Sequence, residues 1–166
     1  FIKNLQKNCQ VFAWGMMDPK GDRTKGPSAQ ESPTDLRIVE RRPGGIVVRG
    51  TKVHTTYGPA SHWVMVVPCR ALSEDDKDFA VSFAVPIDAK GLKMIARPSP
   101  GPSRPTDMES PLSSCYLGVE AMTIFDDVFI PDEKVFMCGQ WDQAVKLPMY
   151  FAGMHRQSKC ACSAGH

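Results

Sequence analysis

Short apolar and β-branched runs, each closed by Gly, Pro, Ser or Asp, fill the chain from about Gln10 to Gly139. That pattern predicts strands and turns rather than helices. QVFAWGMM reads as a buried strand, and DPKGDRTKGPSAQESPTD, with three prolines and two glycines, as a long loop. LRIVERR and IVVRGTKVHTT flank the tight-turn sequence PGG, a hairpin signal. HWVMVVPCR, FAVSFAVP and GLKMIARP are further strands, with ALSEDDKD as a charged turn between the first two. A proline-rich loop around Pro98, Pro100, Pro102, Pro105 and Pro111 precedes EAMTIFDDVFIP and KVFMCG, the last two strands. Helical spacing is confined to the ends. Phe1 to Cys9 reads as the last turns of a helix, and Ala144, Leu147, Tyr150, Phe151 and Met154 recur at three- and four-residue steps. Pro148 marks the start of that helix or a kink in it. The fold class predicted is mainly β, an antiparallel barrel or sandwich with a short helical segment at each end.

Composition narrows the function. A length of 166 residues suits one core, and a net charge of +2 with 42% hydrophobic residues is ordinary for a globular domain. Lys and Arg are spread too evenly for a nucleic-acid surface, and the longest apolar run is strand-sized, so neither nucleic acid nor membrane is an expected partner. The first residue is Phe1, which suggests a piece of a longer chain. The six cysteines are scattered and form no disulfide framework, which points to a reducing, cytoplasmic setting.

The tail MYFAGMHRQSKCACSAGH carries the sharpest chemical signal. On a helix, the seven residues from His155 to Cys162 make nearly two turns. The two share a face roughly 10 Å apart along the axis. Cys160 points off that face. Such a step is long for one zinc ion but suits a polynuclear iron–sulfur cluster, for which thiolate and imidazole are acceptable ligands. The plain alternative is three polar residues on an ordinary helix. Likewise, DPKGDR reads by itself as a turn, Lys52 and His54 as two residues on an exposed strand face, and Glu120 as a solvated or paired carboxylate.

DPKGDRTKGPSAQ, RIVERRPGGIVVRGTKVH, DDKDFAVSFAVPIDAKGLKMI, EAMTIFDDVFIP and FAGMHRQSKCAC occur in the order of one family. The chain resembles the 4-hydroxyphenylacetate 3-hydroxylase family, of acyl-CoA dehydrogenase-like fold, and within it the hydroxyacyl-CoA dehydratase/isomerase branch. The resemblance covers the middle third of a family member. It implies residues 1–9 as the end of a preceding helical segment, 10–140 as the β-barrel middle domain and 141–166 as the start of a C-terminal helical domain. It further implies FAD, a [4Fe–4S] cluster, an acyl-CoA substrate and a homotetramer for the full-length protein. His155 and Cys162 would be two cluster ligands, the other two being a Cys pair outside this chain. Gly15, Met16, Met17, Asp18 and Pro19 would face the flavin, as would Thr51, Lys52 and Val53.

The chemistry implied is a radical dehydration of an acyl-CoA to an enoyl-CoA. A flavin would supply one-electron chemistry, the cluster would be the Lewis acid for the departing hydroxyl, and His155 would also be the base for the α-proton. Glu120 would lie near cluster and substrate. Lys159 replaces the family's Tyr as the proton-donor candidate, and Cys160 stands where that branch has Gly; both departures bear on substrate choice. Two other outcomes stand beside this one. A reduced-flavin aromatic hydroxylase of the same family needs no cluster, and an isolated β-domain needs no chemistry at all. This piece by itself is expected to be inactive and to hold FAD weakly, one wall being too little to bury it.

Overall fold

The structure, a computed structural model, describes residues 1–97 and 119–164, and of 157–159 and 161–164 only the backbone. Two four-stranded sheets face one another. In the first, β1 (Phe12–Gly15), β4 (Trp63–Val66), β5 (Val81–Pro86) and β8 (Val135–Cys138) lie in the order β1-β4-β5-β8. In the second, β2 (Arg37–Arg42), β3 (Gly45–Thr56), β7 (Glu120–Pro131) and β6 (Leu92–Ala96) lie in the order β2-β3-β7-β6. Pairing is antiparallel except between β1 and β4. The sheets do not close into a barrel: the sandwich alternative is the architecture found.

Alternation along the strands builds the core. Val64 and Val66 of β4, Val81, Phe83 and Val85 of β5, and Phe125, Val128 and Ile130 of β7 turn inward and are almost fully buried. Phe83 and Phe125 meet edge to face at 5.7 Å, joining the two sheets at their centre. Gln10 to Met17 proves shorter as a strand than its apolar run suggests. Only Phe12–Gly15 forms a strand, with Ala13 and Gly15 buried and Trp14 turned outward.

Two bulges shift the phase of the central pair. Opposite Arg49, β7 carries the extra residue Asp127 at φ 53, and Arg49 clamps its carboxylate through two bonds of 2.7 and 2.6 Å. Further along, β3 sets Val53 and His54 against the single residue Met122.

The long loop between β1 and β2 is tethered rather than free. Asp76, in the 3-10 stretch Glu74–Phe79, accepts from the amide and hydroxyl of Ser73 and from the amide of Ser28. Burial raises the Asp76 carboxyl, but those hydrogen bonds outweigh it and bring it down to about 2. The segment that reads as a charged turn is therefore a capped element holding the loop in place.

At the ends, α1 (Ile2–Lys7) and α2 (Lys146–Ala164) are the two α-helices among the described residues. Pro148 falls in the first turn of α2, where its missing amide costs nothing, so it marks the start and not a kink. The proline-rich loop from Pro98 to Pro111 lies outside the described residues.

Candidate functional site

The stretches Gly15–Pro19 and Thr51–Val53, far apart in sequence, are brought edge to edge. The Val53 amide donates to the Met17 carbonyl at 2.8 Å, and Met17 forms an isolated antiparallel bridge with His54. Gly15 is buried against β4 and its carbonyl accepts from Val67. Thr51 spends its amide on the Thr34 carbonyl at 2.9 Å. Two of the amides in Thr51–Val53 are thus already committed inside the protein.

Lys52 is not on an exposed face. It is 2% exposed, and its ammonium lies 2.7 Å from Asp18 Oδ1 while donating to the carbonyls of Met16 at 3.1 Å and Val67 at 3.2 Å. The bulge at Val53 and His54 is the reason. Strict alternation would put Lys52 and His54 on one face; the extra residue turns Lys52 and Thr55 inward and leaves His54 outside. Next to this pair Arg70 contacts Asp35 at 3.2 Å. Burial, and then the charge of Asp18, push the Asp35 carboxyl above its usual range, against the pull of Arg70, Lys52 and Arg37. Asp18 and Lys52 therefore face inward, and the surface left open at these stretches is that of Met17 with half-buried Met16, Pro19, Thr51 and Val53.

Glu120 opens β7 beside the same place. Its register partner is Thr56, and its Oε2 lies 3.3 Å from His54 Nδ1. That oxygen is shielded from solvent and forms no hydrogen bond of good geometry among the described residues; the imidazole is close but poorly aligned. The carboxylate is neither a solvated surface group nor fully paired.

α2 reaches this region through aromatic contacts. Phe151 meets Trp14 edge to face at 5.2 Å, and His155 stacks on Phe151 at 5.8 Å. Trp14 immediately precedes Gly15, so the helix bearing His155 is anchored at the root of the 15–19 stretch. The imidazole itself is exposed. Cys162 stands seven residues on in the same helix, as does Lys159 after four; their side chains lie outside the described ones. Cys160 is exposed.

The donor chemistry of His155 and Cys162 suits iron. Among the described residues no group of three or more His, Cys, Asp or Glu gathers. A [4Fe–4S] cluster asks for four ligands, so any such group needs further ligands from elsewhere. For a flavin the fit is a single wall: two joined backbone segments with an outward Met17 and a half-exposed Trp14 beside them. Sequence reasoning missed His54 as the neighbour of Glu120, and the Trp14–Phe151 anchor. Both are long-range contacts with no local signature.

The fold is that of a β-domain of the acyl-CoA dehydrogenase type. Butyryl-CoA dehydrogenase of Megasphaera elsdenii shares this fold at a TM-score of 0.57 with 18% identity, over 88% of this chain and 33% of that one. Residues 1–137 match the family described as 4-hydroxyphenylacetate 3-hydroxylase N terminal, and the chain belongs to that family. It is 43% identical to 4-hydroxybutyryl-CoA dehydratase/vinylacetyl-CoA-Delta-isomerase of Clostridium aminobutyricum over 99% of its own length and 34% of that protein. The structure of an oxygen-tolerant archaeal 4-hydroxybutyryl-CoA dehydratase from N. maritimus matches with a TM-score of 0.78 and 40% identity, over 87% of this chain and 29% of that one. The FAD complex of the oxygenase component of 4-hydroxyphenylacetate 3-monooxygenase matches with a TM-score of 0.74 and 29% identity, over 86% of this chain and 30% of that one. The chain thus spans about a third of the length of these relatives, and its likeness to the dehydratases exceeds that to the oxygenase.

Proposed function

We propose that this chain is the middle part of a flavin-dependent hydroxyacyl-CoA dehydratase/isomerase, with residues 10–140 as its β-domain, 1–9 ending a preceding helical segment and 141–166 opening a following one. The observation that carries the reading is a line of contacts. It runs from His155 through Phe151 and Trp14 to the 15–19 stretch, and on through Met17 and His54 to Glu120. Candidate base, cofactor wall and candidate carboxylate share one end of the sandwich. The higher identity to the dehydratases favours this over the aromatic hydroxylase.

On this reading the backbone of Gly15–Pro19, with Met17, Thr51 and Val53, forms one wall for FAD. His155 and Cys162 ligate a [4Fe–4S] cluster together with ligands outside this chain, and Cys160 does not. When bound, the flavin supplies one-electron redox chemistry and the cluster a Lewis acid for a departing hydroxyl. His155 takes the α-proton of the acyl thioester, Glu120 holds a proton or an acceptor at the substrate, and Lys159 offers an ammonium as donor. The acyl-CoA lies between this domain and parts of the protein beyond it, in a cytoplasmic homo-oligomer.

The test is the full-length protein purified without oxygen. FAD and iron should copurify, and 4-hydroxybutyryl-CoA should yield an enoyl-CoA. Cys162→Ala should lose iron while Cys160→Ala keeps it. A protein that hydroxylates a phenol with reduced flavin, and holds no iron, would replace this reading with the oxygenase one.

A further inference from the structure

Lys52 and Asp18 are both buried, at 2% and 8% exposure, in a chain whose other ion pairs stand mostly at the surface. Taking two charges out of water costs several kcal/mol per ion, and a buried pair is a poor source of stability. What it fixes is geometry. The Lys52 ammonium has three donors and meets three acceptors: Asp18 Oδ1, the Met16 carbonyl and the Val67 carbonyl. Asp18 in turn receives the Leu36 amide at 3.5 Å and the Cys69 thiol at 3.8 Å, both long contacts. One side chain from β3 thereby draws together the exit of β1, the exit of β4 and, through Asp18, the entry to β2. Nothing in a ligand-facing role explains this, because neither charge reaches the surface.

Building on the flavin reading above, we infer that Lys52 and Asp18 are positioning residues: an internal clasp that sets the backbone of Met16–Pro19 in the shape it presents to the cofactor, rather than groups that touch the cofactor. Met16 and Asp18 are both gripped by the same ammonium, while Met17 between them points outward. The clasp therefore holds the two flanking residues and leaves the middle one as the contact surface. Val53, the other half of the wall, follows Lys52 directly and is tied to Met17 by its own amide.

The experiment uses the full-length protein and the charge-neutral double variant Asp18→Asn with Lys52→Met, which leaves no unpaired charge inside. Amide exchange of the apoprotein should quicken about tenfold or more at Val53 and Val67, whose amides bond the carbonyls of Met17 and Gly15 across the clasp, and stay unchanged in β5, and the FAD dissociation constant should rise about tenfold or more. Exchange that rises equally in β5 would make the pair a general stabiliser and overturn the inference. So would unchanged exchange at Val53 and Val67, or faster exchange there with FAD affinity intact. Wild-type protein that binds no FAD would fail the flavin reading itself, and the exchange pattern alone would then decide whether the clasp exists.

Discussion

The inner seam around Lys52 and the outer face of α2 treat their side chains in opposite ways. In the seam, three charged groups, Asp18, Asp35 and Lys52, are buried, and the half-buried Arg70 reaches in to Asp35, so that each is paired. On α2, Met149, Tyr150 and Met154 stand 68–71% exposed although they are apolar, while Leu147 and Phe151 on the neighbouring face, with Ala144 just before the helix, are in contact with the sandwich. Charge inside and grease outside is the reverse of the usual partition. The seam is complete within this chain, and its buried charges are explained by the segments they hold. The helix is docked by one line of residues and left open on the other, so the shape around His155 depends on far fewer contacts than the shape around Met17.

Single changes should separate the two regions by size of effect. Lys52→Met leaves the Asp18 carboxylate buried and unpaired. It should cost about 3–5 kcal/mol, read as a lower urea midpoint. Asp76→Ala removes the acceptor for Ser73 and Ser28 and should cost about 1–2 kcal/mol at neutral pH. Its pH behaviour has a definite sign. The folded-state value of about 2 lies below the ordinary 3.8, so the Asp76 contribution is present above about pH 4 and fades as pH falls toward 2. The variant should lack that acid slope. Asp35, raised by burial, acts the other way: its contribution is present in acid and lost as pH rises through its elevated value. Phe151→Ala should cost about 0.5–1.5 kcal/mol and show itself chiefly as faster amide exchange along α2. Met154→Ala, on the open face, should change the urea midpoint by no more than about 0.5 kcal/mol.

Much of the fold was legible because strands announce themselves locally. The hairpin at Pro43–Gly45, the alternation in FAVSFAVP and the helix spacing after Trp141 depend on neighbours in sequence, and each element stands close to its predicted place. Closure was not legible: whether two sheets seal into a barrel is decided by edge strands such as β1 and β6, and no local pattern encodes that. At the site, Gly15–Pro19 and Thr51–Val53 came from resemblance, and the geometry brings them together. The inward turn of Lys52 escaped because alternation assumes an unbroken ladder. Glu120 beside His54 escaped because 66 residues separate them.

The β3 bulge also makes chain length itself a constrained quantity. With two residues facing Met122, the strand can send Lys52 into the seam and still present His54 to Glu120 and Thr55 to Thr123. Remove either Val53 or His54 and the ladder becomes regular: Lys52 and Thr55 stay on the inner face, but only one residue is left to face outward between them, where there are now two. A descendant one residue shorter here keeps the buried ammonium and the Thr55–Thr123 hydroxyl pair but must surrender either the Val53 amide bond to Met17 or the imidazole beside Glu120. Substitutions in this strand are therefore negotiable one at a time, whereas insertions and deletions between Lys52 and Thr55 are not, and a gap-free alignment across those four positions should distinguish sequences that share this site from those that share only the sandwich.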